Sequence, residues 1–447
     1  MAQSIVSYVD STLDNAAMGS THKRVLALIT FAYFFDVIDF IILGSLIPDM
    51  IQSKFAVPTQ AGSIGMFQLF GIFLGTVGQG EFTDRFGRKR VLQAAILIYA
   101  VFTILAALSP SVGWLMAGRC IAGIGLGAAQ PLCFSYAAEF APKAIRGRAT
   151  AFMQFVGGAC VWPIGTAFVL GFREQIGWQG IWIVIGIGGL AVFLFSFLLP
   201  ESPRWMVTHG QGDDALNLLE RMGLGRPKER LVADELADIR SDPMGVVFRR
   251  YRGRIIAAMI CFFAFFTAAV SLGGWLPQIL NERGYTITKA LAVVLGMQLA
   301  FPLSSLFMMY ALEAFGRIRT SLAAFVLATL FAIAFYYSTS AGSDLVVLAV
   351  GFLMTFFVQL AGNSMQIFSS EVFPTNARAS GFGLAQSGGR LGAAANFFLI
   401  PVIQQNFGFG YVMTLIAVLL AVATIAVTQI SSETKGLSLD TIAPPTR

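Results

Sequence analysis

Twelve long, nearly uncharged apolar runs constrain this chain more than any other feature. They fall at about 25–47, 61–80, 91–108, 112–137, 149–171 and 180–199, and again at 254–279, 290–311, 320–338, 345–367, 380–403 and 410–430. Each approaches the roughly 20 residues a helix needs to cross a bilayer. The runs are continuous instead of alternating, so they predict helices and exclude the strands of a barrel. With 447 residues, 56% of them apolar and only 12% charged, twelve crossings use up most of the chain. No room is left for a soluble catalytic domain. The sequence offers no nucleophile-base set, metal cluster or Walker-type loop, so the reading is a membrane bundle and not an enzyme.

The net charge of +6 reflects topology, not a nucleic-acid surface. With a cytoplasmic amino terminus, 24 of the 30 Lys and Arg fall in cytoplasmic segments, four outside (Lys54, Arg173, Arg283, Lys289) and two within spans (Arg119, Arg390). That positive-inside bias places both termini in the cytoplasm. Cys120, Cys133, Cys160 and Cys261 lie in apolar runs without metal-ligand spacing and read as small buried residues. Residues 1–22 lack an apolar core, so the first run is read as a permanent span and not as a cleaved signal.

The runs group as six plus six around one long polar stretch. The division is a first six-helix bundle over 1–199, a cytoplasmic linker with short helices over 200–253, a second bundle over 254–430 and a cytoplasmic tail over 431–447. The halves echo each other. Asp84-Arg85-Phe86-Gly87-Arg88 after span two matches Glu313-Ala314-Phe315-Gly316-Arg317 after span eight, 229 residues later. Glu139, Pro142 and Arg146 match Glu371, Pro374 and Arg378 at an offset of 232, and Glu201 matches Glu433 at the same offset. Landmarks in register on one side of the membrane indicate a parallel duplication, the arrangement of transporters whose substrate site lies near the midplane.

The Asp84 to Arg90 loop, the Arg119-x-x-x-Gly123-x-Gly125 run and their weaker second copies resemble the signatures of the major facilitator superfamily. This resemblance covers nearly the whole chain and implies twelve transmembrane helices in two repeats. Asp36-Val37-Ile38-Asp39 in span one resembles the paired aspartates of bacterial aromatic-acid/proton symporters, with Val37 in place of their glycine. Trp275-Leu276-Pro277 and Gly389-Arg390-Leu391-Gly392 resemble that group and the related nicotinate carriers, whereas Pro200-Glu201-Ser202-Pro203-Arg204 and Glu433-Thr434-Lys435-Gly436 resemble the sugar-porter branch.

Charges inside spans need a partner or a water-filled cavity, which singles out four residues. Asp36 and Asp39, three apart, lie on one side of their helix. The resemblance implies that Asp39 binds the coupling proton and faces Arg119, although Arg119 also suits a packing role beside Gly123, Gly125 and Gly127. Arg390, about eleven residues into span eleven, is too deep to snorkel easily, and its planar fork suits a carboxylate. It suits equally an internal ion pair with Asp36. Gln359, Asn363 and Gln366 recur at i, i+4 and i+7, one helical face, and with Gln298, Gln386, Trp275, Gln130 and Gln154 form the candidate substrate lining. Asp84, Arg85, Arg88, Glu139 and Arg146, with Glu313, Arg317, Glu371 and Arg378, form a candidate cytoplasmic gate of ion pairs that exist only when that side is closed.

These residues predict a secondary active transporter in the bacterial inner membrane that works as a monomer by alternating access. The proton is its coupling ion, with no metal or organic cofactor. The predicted substrate is a small organic anion, an aromatic or heterocyclic carboxylate. A sugar or polyol symporter is the alternative, and an organic cation or drug antiporter the third reading. A site holding Asp36, Asp39, Arg119 and Arg390 is near neutral, so an added anion favours an added proton.

Overall fold

A computed structural model describes residues 5–226, 244–339, 343–373 and 378–430, without the side chains at 244, 370, 371 and 378–380. Linker residues Lys228, Glu229, Arg230, Asp234 and Glu235, together with Pro374 and the Glu433 to Gly436 motif, lie outside the described residues. Among those described, all regular structure is helical. The first half holds α1 (Ile5–Asp14), α2 (Ser20–Gln52), α3 (Pro58–Phe86), α4 (Arg88–Ala107), α5 (Val112–Phe140), α6 (Arg146–Met153) and α7 (Val161–Ser196). Two short helices follow, α8 (Pro203–Thr208) and α9 (Gly212–Arg221). The second half holds α10 (Met244–Val270), α11 (Leu276–Glu282), α12 (Ile287–Gln298), α13 (Ala300–Phe315), α14 (Arg317–Ser338), α15 (Asp344–Glu371), α16 (Arg378–Phe407) and α17 (Phe409–Val427).

Ten helical stretches among the described residues are long and apolar enough to cross a membrane. One of them, Arg146–Ser196, has 51 residues, far beyond a single crossing, and Gly177 at φ 68° and ψ 175° divides it into two. The 30-residue α16 has the length of a span but is diluted by Gln386, Arg390 and Asn396. Together these account for the twelve expected runs. Spans five and seven are not uniform α-helix. A π-turn over Gln154–Cys160 precedes Pro163, and another over Ser271–Trp275 precedes Pro277. Proline cannot donate to the carbonyl one turn back, and in each case the widened turn lies where that register is disturbed. Span eight runs through α12 and α13 as one stretch, with Leu299 between them keeping helical φ and ψ.

The chain divides into two compact units, each discontinuous in sequence. The first comprises Met1–Phe40, Phe67–Val161 and Glu174–Ile239. Its interior is set by small residues, because helices in lipid associate through close packing and not through burial from water. On α5, Gly123 and Gly127 lie against the backbone of Gln68 and Ile72 on α3, while Gly125 lies against Ala95 and Tyr99 on α4. Gly71 and Gly75 of α3 meet the α5 carbonyls of Cys120 and Ile124 in return. On α7, Gly186 and Gly189 pack against Ala100 of α4, and Gly188 packs against the Phe35 ring of α2. Any side chain at these positions forces the helices apart.

The second unit comprises Ile41–Met66, Trp162–Arg173 and Arg240–Arg447. Gly388 and Gly392 bring α16 onto the backbone of Met259 and Phe263 on α10. Gly44 of α2 abuts Gly273 and Gly274 in the second π-turn, and the Trp162 ring stacks on Phe301 with centroids 4.8 Å apart. The guanidinium of Arg173 grips Asp49 through Nε and Nη2 at 2.7–3.1 Å and donates from Nη1 to Thr288 Oγ1 at 3.0 Å.

Candidate functional site

The glycine contacts of α5 determine where Arg119 lies. One turn before Gly123, it enters the interior of the first unit and is fully buried, as is Asp39 of α2. Arg119 Nη1 donates to Asp39 Oδ1 at 2.9 Å and to Thr103 Oγ1 at 3.0 Å, and Nη2 donates to the Asp39 backbone carbonyl at 3.1 Å. The Thr103 hydroxyl donates to Asp39 Oδ2 at 2.7 Å. Both carboxylate oxygens are therefore satisfied in a triad drawn from α2, α4 and α5. The Trp182 ring of α7 covers the guanidinium, with Cζ 5.0 Å from its centroid. Asp36, also buried, lies one turn earlier on α2 and makes contacts of its own.

The packing and pairing readings of the α5 motif thus divide between its residues: the glycines carry the helix contacts and Arg119 carries the ion pair. Thr103 and Trp182 were invisible to sequence reasoning, because one hydroxyl or one indole in an apolar run is ordinary. Of the other first-half residues, Gln154 Oε1 accepts from Tyr33 OH at 3.0 Å and Gln130 is half-buried with contacts of its own.

In the second unit, the predicted polar face is partly assembled. Gln359 Nε2 donates to Asn363 Oδ1 at 3.1 Å, and Asn363 Nδ2 donates to Ser305 Oγ at 3.1 Å, joining α15 to α13. Gln366 and Gln386 are half-buried. Gln298 is engaged elsewhere: its Oε1 accepts from Thr166 Oγ1 at 2.6 Å, and Thr166 lies 3.3 Å from Ser45 Oγ. Trp275 is buried in the second π-turn, its ring 6.3 Å from that of Phe397. Beside it, Asn396 Nδ2 donates to the Thr267 carbonyl and to Ser271 Oγ at 2.8 and 2.5 Å. Arg390 is half-buried on α16, next to the glycines that meet α10, and makes contacts of its own.

The candidate gate shows local pairs within the first unit. Arg88 bonds Glu139 Oε1 at 3.3 Å and Asp84 Oδ1 at 3.5 Å, and the exposed Arg85 lies over Phe86. The end of span six supports this loop. Glu201 accepts from the Lys89 amide, and Trp205 Nε1 donates to the Asp84 carbonyl at 2.9 Å. Gly87, at φ 95°, is held against the Glu201 carboxylate, where a side chain has no room.

Arg146 has a different partner. It donates to Asp14 Oδ1 at 2.5 Å and to the Ala141 carbonyl, and Arg204 reaches Asp10 and Asp14 at 2.9 and 3.0 Å. Burial pushes the Asp14 carboxyl up, but hydrogen bonds and charge from Arg146 and Arg204 outweigh it and hold the pKa below the ordinary value. In the second unit, Glu313 is exposed and Arg317 donates to the Leu312 carbonyl at 3.5 Å. The side chains of Glu371 and Arg378 lie outside the described residues.

A family model for "Sugar (and other) transporter" matches residues 47–444. The chain is similar to the niacin transporter NiaP of Acinetobacter baylyi, 28% identical across 97% of this chain and 99% of that one. It is also similar to the 4-hydroxybenzoate transporter PcaK of the same organism, 27% identical across 93% and 92%. Among solved structures, it resembles the xylose transporter XylE of E. coli in a partially occluded inward open conformation. There the TM-score is 0.74 at 19% identity, over 94% of this chain and all of that one. The fold is therefore the twelve-span, two-repeat architecture of the major facilitator superfamily.

Proposed function

The chain belongs to the sugar (and other) transporter family, and we propose that it is a proton-coupled symporter for a small organic anion. The proposed substrate is an aromatic or heterocyclic carboxylate, taken up across the bacterial inner membrane by alternating access. In this reading the protein is a monomer with both termini in the cytoplasm.

The observation that carries the coupling is the fully buried Asp39–Arg119 pair. A charge in this setting is costly without its partner. When the two separate, desolvation favours the protonated carboxyl; when they meet, the Arg119 charge and two hydrogen bonds favour the carboxylate. Asp39 thus exchanges a proton for an arginine as the protein changes state, while Asp36 adds a second negative charge nearby.

The anion is supported by Arg390, whose planar fork suits two parallel hydrogen bonds to a carboxylate, and by the names of the niacin and 4-hydroxybenzoate relatives. The neutral chain of Gln359, Asn363 and Ser305 favours the second reading, a sugar or polyol, since amides and hydroxyls suit hydroxyl ligands. The likeness to XylE fits that reading as well.

In proteoliposomes, Asp39→Asn is expected to exchange substrate but not to accumulate it on a pH gradient; normal accumulation refutes the coupling. Nicotinate, 4-hydroxybenzoate and xylose, tested for binding at acidic and alkaline pH, separate the substrate readings. Carboxylate affinity should rise with acidity, weaken in Arg390→Lys and vanish in Arg390→Ala. Tighter xylose binding, or normal carboxylate binding by Arg390→Ala, replaces the anion with a sugar.

A further inference from the structure

If Asp39 gives up its role as counter-ion when it takes a proton, Arg119 has to remain charged in the interior, since its guanidinium does not deprotonate in proteins. Something neutral has to hold it. We propose that Trp182 is a positioning residue for the proton step: its ring face stabilises Arg119 in the interval when Asp39 is protonated, and so favours that protonation. This inference rests on the coupling role of Asp39.

Trp182 is fully buried and its ring lies 5.0 Å from Arg119 Cζ, within cation–π range. Its indole Nε1 has no hydrogen-bond partner among the described residues, so a donated hydrogen bond does not account for its orientation. Two other features fix the ring. Trp178 packs against it edge-on, with centroids 5.8 Å apart and planes at 87°. The α7 glycines Gly186, Gly188 and Gly189 draw this helix against α4 and α2, which brings the residue one turn earlier onto the guanidinium. Two further neutral contacts, the Asp39 carbonyl and Thr103 Oγ1, hold Arg119 at its Nη atoms. Together the three form a cradle that does not depend on the carboxylate charge.

The sign follows from comparing the two states. A cation–π contact is worth most when the cation lacks a counter-ion and water, so Trp182 stabilises the protonated-Asp39 state more than the ionised one. Removing the ring makes protonation harder. The titratable and charged groups around Asp39 are Asp36 on its own helix, Tyr99 on α4 and Arg119 on α5, with Cys133 of α5 beside Asp36 and Tyr99. A substitution at Trp182 leaves all of them in the chain.

The test needs no known substrate. The purified full-length protein is titrated by infrared difference spectroscopy, and the carboxylic-acid carbonyl band lost in Asp39→Asn reports protonation of Asp39. In Trp182→Tyr, Trp182→Phe and Trp182→Leu the midpoint should fall to progressively lower pH, by roughly half to one unit for Leu. Phe and Leu fill the site about equally well, so a purely packing role would alter melting temperature without ordering the midpoints by the strength of the π face. An unmoved midpoint in folded Tyr and Phe variants overturns the proposal, even if the Leu variant does not fold. Accumulation by Asp39→Asn separately reports failure of the coupling reading on which the proposal rests.

Discussion

The two halves of this duplicated chain fill the same interior position in opposite ways. At the offsets set by the landmarks, 229 residues through span three and 232 for span four, Asp39, Thr103 and Arg119 correspond to Ala268, Ala332 and Gly351. In the first unit these positions form a buried ion pair bridged by a hydroxyl. In the second, Ala268 and Ala332 are fully buried and Gly351 faces the Phe335 ring and Met297, all apolar surroundings. Apolar packing is thus a workable solution for this scaffold. A buried ion pair is often no more stabilising than such packing. At these corresponding positions the first half keeps a buried ion pair where the second half is apolar, so stability alone does not account for the pair.

The comparison can be broken most decisively at Arg119. Arg119→Leu leaves Asp39 buried without its cation and is expected to destabilise the protein by about 3–5 kcal/mol. Asp39→Asn combined with Arg119→Leu removes the stranded charge and should recover most of that loss. Melting temperatures in detergent decide between these outcomes. If Arg119→Leu melts like wild type, the pair is not the buried, mutually dependent unit described here.

The corresponding change in the second half should be milder. A methyl group at Gly351 would come within 2.6 Å of Met297 Cε and 2.9 Å of the Phe335 ring. The methionine end is flexible and can move aside, so Gly351→Ala is expected to cost about 1 kcal/mol, at the low end of overpacking. A loss as large as that of Arg119→Leu would show that the two positions are equally rigid, and the contrast between the halves would fail.

Much of this was legible in the sequence because lipid is an unforgiving solvent. Helices in it must be long and apolar, and charges such as Asp39 and Arg119 are rare enough to stand out. What was hidden depends on three-dimensional register. The π-turns before Pro163 and Pro277 leave no compositional trace, and Thr103 and Trp182 resemble their neighbours until the α5 and α7 glycines bring them to Arg119. Arg146 illustrates a different gap. The sequence places it with the candidate gate charges but gives no sign of its partner Asp14, which α1 carries to it. The apolar residues of α1, Ile5, Val9 and Leu13, recur every four positions, a stripe too short for a span-length window to detect.

That short helix sets the smallest effect and sharpens the contrast between exposed and buried charge. Asp14 closes α1 against Arg146 and Arg204, with side-chain exposures near 30% for all three. Partly solvated pairs of this kind contribute at most about 1 kcal/mol. The Asp14 pKa is lowered in the folded protein, so its stabilising contribution is fully present above the ordinary aspartate value near 4 and is lost as pH falls below that, through the folded-state value. The protection factors of the α1 amides, that is, exchange corrected for its intrinsic pH dependence, should therefore fall in that acidic window in wild type. In Asp14→Asn they should already be lower at neutral pH and should change little on acidification. The Asp39–Arg119 pair has no comparable exposure, and its loss should lower global stability instead of fraying one helix. If Asp14→Asn lowers the melting temperature as much as Arg119→Leu, burial is not what distinguishes the two sets of charges.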